Sequence, residues 1–157
     1  MMEIKSENIL LSELGDLENV FIKKVLFEKY DPLLNTFLLT DFKTWQYPIP
    51  DMDSLNLALE NLKHKIEQNT LFGEIKTENE VLDVNVSLAN ISHLISEVFL
   101  VENKIFGNIK CLNTPSGELL KEFIKNKFEI KFHIRATGSV GINSTELADI
   151  ITWDIEI

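Results

Sequence analysis

ISHLISEVFLVENKIFGNIKCL, residues 91–112, decides the fold. Ile91 to Val101 is a long, mostly apolar stretch, and Ile105 to Leu112 is a second run of strand-forming character. Glu102-Asn103 between them makes a tight turn, so the two runs read as the arms of an antiparallel hairpin. Working outward, Thr114-Pro115 opens a helix, because threonine can cap and proline tolerates the first helical position. Leu119, Leu120, Phe123 and Ile124 are its expected buried face. Phe128 to Arg135 then alternates, with Glu129, Lys131 and His133 on one side and Ile130, Phe132 and Ile134 on the other. A turn over 137–143 and a last strand over 150–157 follow.

Upstream, Val81 to Val86 alternates roughly as a strand, while Leu55, Ala58, Leu59, Leu62 and Ile66 form one stripe of a helix. Asp53 or Ser54 can cap that helix, which runs to about Gln68. Val20 to Phe27 and Thr36 to Leu39 read as strands, and Tyr47-Pro48-Ile49-Pro50 cannot continue a central strand. Residues 1–18 form a polar N-terminal arm, free to be loose, and 19–157 a single domain. The order predicts an α+β fold: an antiparallel or mixed curled sheet, or small β-barrel-like core, with two covering helices.

The 157 residues carry 45% hydrophobic and 25% charged residues, as expected for a globular protein. No apolar run reaches the roughly 18 residues of a membrane span, and the start of the chain does not read as a signal peptide. One cysteine, Cys111, excludes an internal disulfide and fits a reducing compartment, so cytoplasm is expected. A net charge of −10 opposes nucleic-acid binding.

Periodicity carries no function, but short motifs in order do. Tyr47-Pro48 precedes the first helix, and Leu71-Phe72-Gly73-Glu74-Ile75 follows it. Next come Ile91-Ser92-His93-Leu94-Ile95, the hairpin ending Ile105-Phe106-Gly107, and Asn113-Thr114-Pro115-Ser116-Gly117. Phe132-His133-Ile134-Arg135-Ala136-Thr137-Gly138-Ser139-Val140 and Thr152-Trp153-Asp154-Ile155 complete the series. Over about Val20 to Ile157 this resembles the prohead (capsid maturation) proteases of tailed phages, whose fold is similar to that of the herpesvirus capsid-maturation protease. Those enzymes read as Tyr-Pro, a helix, Gly-Glu-Leu and a histidine, a strand pair, a helix, a Ser-x-Arg-x-x-Gly-like turn and a late Asp.

The departures concern the catalytic groups. The resemblance places Thr77 near the family's general-base histidine, and His133 or Ile134 where its nucleophilic serine belongs. Arg135 and Gly138 match the turn that supports the family's oxyanion site, and Asp154 matches the late acid. A serine hydroxyl needs a base within hydrogen-bond reach to become a nucleophile, and neither partner is present. The resemblance therefore implies an inactive homologue, a pseudoprotease without a cofactor.

Other residues admit competing readings. A metal site of His93, His133 and Asp154 lacks ligand spacing, and His64 reads as a surface residue. His93 reads as a hydrogen-bonded core or interface residue. A relocated nucleophile among Ser92, Ser139 and Ser144, served by His93 or His133, would make an active endopeptidase with a rearranged set. Cys111 reads as a small hydrophobe, and Gly138-Ser139-Val140-Gly141 as a hairpin turn rather than a phosphate loop. Trp45 and Tyr47, expected exposed, are the candidate protein-contact residues.

The expected function is non-enzymatic action in phage head assembly, as a structural or scaffold-associated component or a protease regulator. Expected partners are the capsid, scaffold or protease proteins of the same phage, or a second copy in a homodimer, with neither nucleic acid nor membrane. The expected place is the host cytoplasm, with the prohead or virion. An active serine endopeptidase and a binder of a host defence or regulatory protein are the alternatives.

Overall fold

The computed structural model describes residues 2–7, 35–77 and 80–157, with residues 2–7 and 35 through their backbone. In chain order the elements are β1 (Met2–Glu7), β2 (Asn35–Asp41), α1 (Met52–Glu67), β3 (Phe72–Lys76) and β4 (Ile91–Val101). β5 (Lys104–Cys111), α2 (Pro115–Lys125), β6 (Lys131–Val140) and β7 (Thr145–Glu156) follow. A single 3₁₀ turn, Phe42–Thr44, ends β2.

The strands form one sheet in the order β1-β6-β7-β3-β4-β5-β2. Neighbours are antiparallel except β3 and β7, which run parallel through Ile75↔Ile155 and Lys76↔Glu156. A parallel pair needs a crossover, and here it contains the β4–β5 hairpin, α2 and β6. The sheet curls on itself. The indole N–H of Trp153 on β7 donates to Thr40 Oγ1 on β2 at 2.9 Å, although the two strands stand four places apart. Phe37 on β2 likewise lies 5.5 Å, centroid to centroid, from Phe132 on β6. The edges β1 and β2 each pair with one neighbour, so the curl stops short of a closed barrel. The α+β expectation of a curled, mixed sheet with two helices matches this architecture.

The helices cover the sheet as their apolar stripes dictate. Leu55, Ala58 and Leu62 of α1 are buried, with Leu59 and Ile66 packed beside them. In α2 only Gly117 and Leu120 are fully buried, and Leu119, expected inside, is exposed. Thr114 caps α2 as expected: its hydroxyl oxygen accepts from Gly117 N at 3.0 Å and its O–H donates to Ile91 O at 2.6 Å. That second bond ties the helix to the first residue of β4.

Several expected boundaries shift. The α1 N-cap is Asp51, not Asp53 or Ser54, and it makes no side-chain cap bond. The Ser54 hydroxyl instead donates to Asp51 O and accepts from Leu147 N, stitching α1 to β7. Val81 to Val86 form no strand: the carbonyls of Asp83 and Asn85 accept from a side chain rather than from a ladder partner. Phe128 lies before β6, exposed and edge-on to Phe123. The turn expected over 137–143 narrows to 141–144, where Gly141 N donates to Ser144 O, and β7 begins at Thr145 instead of Ile150. Register shifts after Arg135 and Thr137 let the long β6–β7 pair bend without breaking. Of the expected polar arm, residues 2–7 form β1 along β6, while 8–18 lie outside the described residues, as does the expected strand Val20 to Phe27.

Thr114→Ala removes a cap and the tie to β4 together, and we expect it to lower unfolding free energy by about 1–2 kcal/mol. Thr114→Ser, which keeps the hydroxyl, should lose much less. Urea denaturation of both variants checks this.

Candidate functional site

Side chains alternate along β6, so Phe132, Ile134 and Ala136 enter the core while His133 and Arg135 point to the opposite face. That face is covered too: His133 is 1% exposed and Arg135 3%. Buried ionisable groups are costly unless paired, and here they form two adjoining clusters where β3, β7 and β6 run side by side.

The first cluster is centred on Arg135. Its Nε donates to Asp154 Oδ2 at 2.8 Å, and its Nη2 donates to Asp154 Oδ1 at 2.6 Å and Glu74 Oε2 at 2.9 Å. Nη1 donates to the carbonyls of Asp83 and Asn85 at 2.9 and 3.3 Å. All three guanidinium nitrogens are thus engaged, two of them in a fork on one carboxylate. Asp154 Oδ1 also accepts from Glu74 N, and Glu74 Oε2 from Ser87 N. Burial disfavours the charged guanidinium, but the bonds and charges of Asp154 and Glu74 outweigh it and push the Arg135 pKa up. The segment 81–86, read from sequence as strand, is therefore held over the sheet through the Asp83 and Asn85 carbonyls by Arg135, and the following Ser87 by Glu74.

In the second cluster His133 sits between Lys76 and Glu156. Lys76 Nζ lies 3.3 Å from His133 Nδ1, and His133 Nε2 meets Glu156 Oε2. An ammonium can only donate, so Nδ1 is the acceptor and Nε2 carries the proton toward the carboxylate. Desolvation pulls the Lys76 pKa down, countered by Glu156 and Asp154.

His93 makes a separate, fully buried arrangement. Its Nε2 donates to Trp153 O at 2.8 Å, and Nδ1 accepts from Ser92 Oγ at 2.7 Å. Phe132 stands edge-on to the ring at 5.9 Å. Burial pushes the His93 pKa down, the Trp153 carbonyl opposing it. Gly73 makes room for this bond: a methyl group there would land on His93 Nε2 and on the Trp153 carbonyl oxygen. The Gly-Glu step therefore has a physical role on each residue, close approach at Gly73 and arginine binding at Glu74.

The structure brings some of the sequence-derived positions together. His133, Arg135 and Asp154 share one face, and Thr77 follows Lys76 immediately, exposed, with its N–H 3.4 Å from Glu80 Oε1. Ile134 is fully buried on the other face. Gly138 is exposed within β6 rather than in a turn, roughly 10 Å along the strand from Arg135. The expected Arg-x-x-Gly turn is therefore corrected to a bulged strand. Trp45 is corrected as well: it is buried at 9% exposure, edge-on to Phe42 and Tyr47, and Tyr47 is half-buried. His64 is exposed, as expected. Sequence reading missed the roles of Glu74, Lys76 and Glu156. Their signal was a charged residue set inside a short apolar run, as in Phe72-Gly73-Glu74-Ile75 and Ile155-Glu156-Ile157.

Chemically, the clusters are preorganised for holding structure. Ser92 and His93 have a nucleophile–base distance, yet both are fully buried. Ser139 lies six residues from His133 along β6, roughly 20 Å, beyond hydrogen-bond reach. Burial pushes the half-buried Cys111 thiol up, away from the reactive thiolate. His93, His133 and Asp154 each serve different partners, and among the described residues no His/Cys/Asp/Glu group is arranged to hold a metal. No helix among them is long and apolar enough to cross a membrane.

No family profile matches this sequence, and a search of curated proteins finds no match. The fold is similar to a solved structure, the capsid assembly protease of bacteriophage T4. The two superpose with a TM-score of 0.60 over 78% of this chain and 82% of that chain, at 11% sequence identity. The likeness is one of fold, and it agrees with the motif order.

Removing the guanidinium strands two buried carboxylates, so Arg135→Ala should cost about 3–5 kcal/mol in denaturant unfolding. Arg135→Lys should recover only part, because a point charge cannot fork. A second expectation concerns pH. His93 is held neutral in the fold, so its folded pKa lies below the ordinary 6.5 and the unfolded chain takes up the proton first. Its stabilising contribution is complete above about pH 6.5 and shrinks as pH falls below that, by at most about 1.4 kcal/mol per pH unit. Thermal melts from pH 8 down to 5 should show this slope, and it should be shallower in His93→Gln.

Proposed function

We propose that this chain is a non-enzymatic phage protein with a prohead-protease-like fold, acting in head assembly as a scaffold-associated component or a regulator of the protease. One observation carries the reading. Of the two positions the motif offers for the nucleophile, Ile134 is buried in the core and His133 is buried and held between Lys76 and Glu156, while the neighbouring Arg135–Asp154–Glu74 lattice is complete. An active serine protease needs an accessible hydroxyl beside a free imidazole nitrogen. Here that face of β6 is spent on internal ion pairs, so binding surfaces are what the fold has to offer. The similarity to a phage capsid assembly protease supports the setting: a prohead, or the host cytoplasm in which proheads form.

The Ser92–His93 contact favours a second reading, an endopeptidase with a rearranged catalytic set. It requires both residues, now fully buried, to become exposed during turnover. A binder of a host defence or regulatory factor is the third.

Two measurements separate these readings. A fluorophosphonate probe should leave the folded protein unlabelled, whereas stoichiometric labelling of Ser92 establishes the enzyme. Quantitative mass spectrometry of purified proheads and mature virions should find this chain in proheads, in many copies for a scaffold-associated part and few for a regulator. Absence from both particles overturns the head-assembly reading.

A further inference from the structure

The outer end of the β6–β7 hairpin carries apolar side chains that the fold does not use. Val140 is 52% exposed and Ile142, in the four-residue turn, 97%. The segment before α1 lies against the same end: Thr145 N donates to Ile49 O at 3.4 Å, Asp51 N donates to Thr145 O at 3.1 Å, and Pro50 bridges Thr145 in parallel. This brings Ile49, 50% exposed, and Met52, 49% exposed, beside the hairpin tip. Four aliphatic or thioether side chains are thus exposed on two segments joined at Thr145. An exposed β-branched residue at the crown of a turn serves neither the turn, which favours Gly, Asn and Ser, nor the core.

The charge these two segments themselves carry has one sign. Asp51, Asp53, Glu146 and Asp149 are all exposed on these same two segments. No Lys, Arg or His occurs anywhere in residues 44–62 or 136–157. The 15 basic residues of the chain therefore all lie outside the segments that build this end.

We propose that the β6–β7 hairpin tip, with Ile49 and Met52, docks a cationic amphipathic segment of a protein partner. The apolar residues supply the contact that excludes water, and the carboxylate rim selects and steers Lys and Arg on the incoming chain. A second copy of this chain is a poor occupant, because a two-fold contact sets each patch against itself and places carboxylate rim on carboxylate rim. Nucleic acid and anionic membrane are repelled for the same reason. The inference deepens the binding reading above and rests on it only for where the partner is met.

The test uses the whole ¹⁵N-labelled chain and a synthetic helical peptide with one leucine face and one lysine face. Binding should shift amide resonances of residues 49–53 and 139–149 and weaken as ionic strength rises. Val140→Ser with Ile142→Ser, both surface changes, should weaken binding about tenfold or more while leaving the circular dichroism spectrum unchanged. Glu146→Gln with Asp149→Asn should weaken it and flatten the salt dependence. Shifts elsewhere on the molecule, equal binding of a leucine/glutamate peptide, or self-association abolished by Ile142→Ser would each overturn the proposal. Absence of the chain from phage particles leaves this result standing, and failure of the peptide leaves the particle measurement standing.

Discussion

A single guanidinium holds this structure in its present arrangement. Arg135 reaches from β6 to Asp154 on β7, to Glu74 on β3 and to the backbone of the segment 83–87. β7 and β3 are where the two halves of the sheet meet, β6 and β1 on one side of them, β4, β5 and β2 on the other. Replacing such a network by apolar side chains of similar volume is often neutral for stability. What hydrophobic packing cannot do is pull an irregular loop down by its carbonyl groups. The fork does so with donors fixed in one plane, and lysine has no comparable geometry.

The two faces of the sheet are built from different chemistry. The interior face of the curled sheet is filled by Phe132, Ile134, Trp153 and their neighbours, whereas His133, Arg135 and Asp154 occupy the opposite one. On that opposite face, whatever stands at position 133 is buried and must be satisfied by its neighbours. Lys76 and Glu156 do this for an imidazole.

Legibility in the sequence followed physical locality. The β4–β5 hairpin, both helices and the cap at Thr114 were readable because their determinants lie within a few residues of one another. So was the need for His93 to be hydrogen-bonded, since an imidazole in an apolar run has few other options. The loop at 81–86 was misread as strand because Val81, Val84 and Val86 imitate alternation, and the arginine that captures its carbonyls is some 50 residues away. Trp45 was expected at the surface beside two prolines, yet it packs on Phe42, a contact made by the 3₁₀ turn that ends β2. At the candidate site the positions came from motif order, whereas the partners Glu74, Lys76 and Glu156 came only from the register of β3, β7 and β6.

The parallel pairing of β3 with β7 has a kinetic side. On synthesis β3 must wait for β7 until β4, β5, α2 and β6 have all been made. Until β7 inserts, β3 and β6 both present open hydrogen-bonding edges, and the core lacks Trp153. Such non-local closure slows folding and prolongs the interval in which strands can pair with the wrong chain. In a cell making many strand-rich proteins at once, the risk of mispairing is greatest just before β7 arrives.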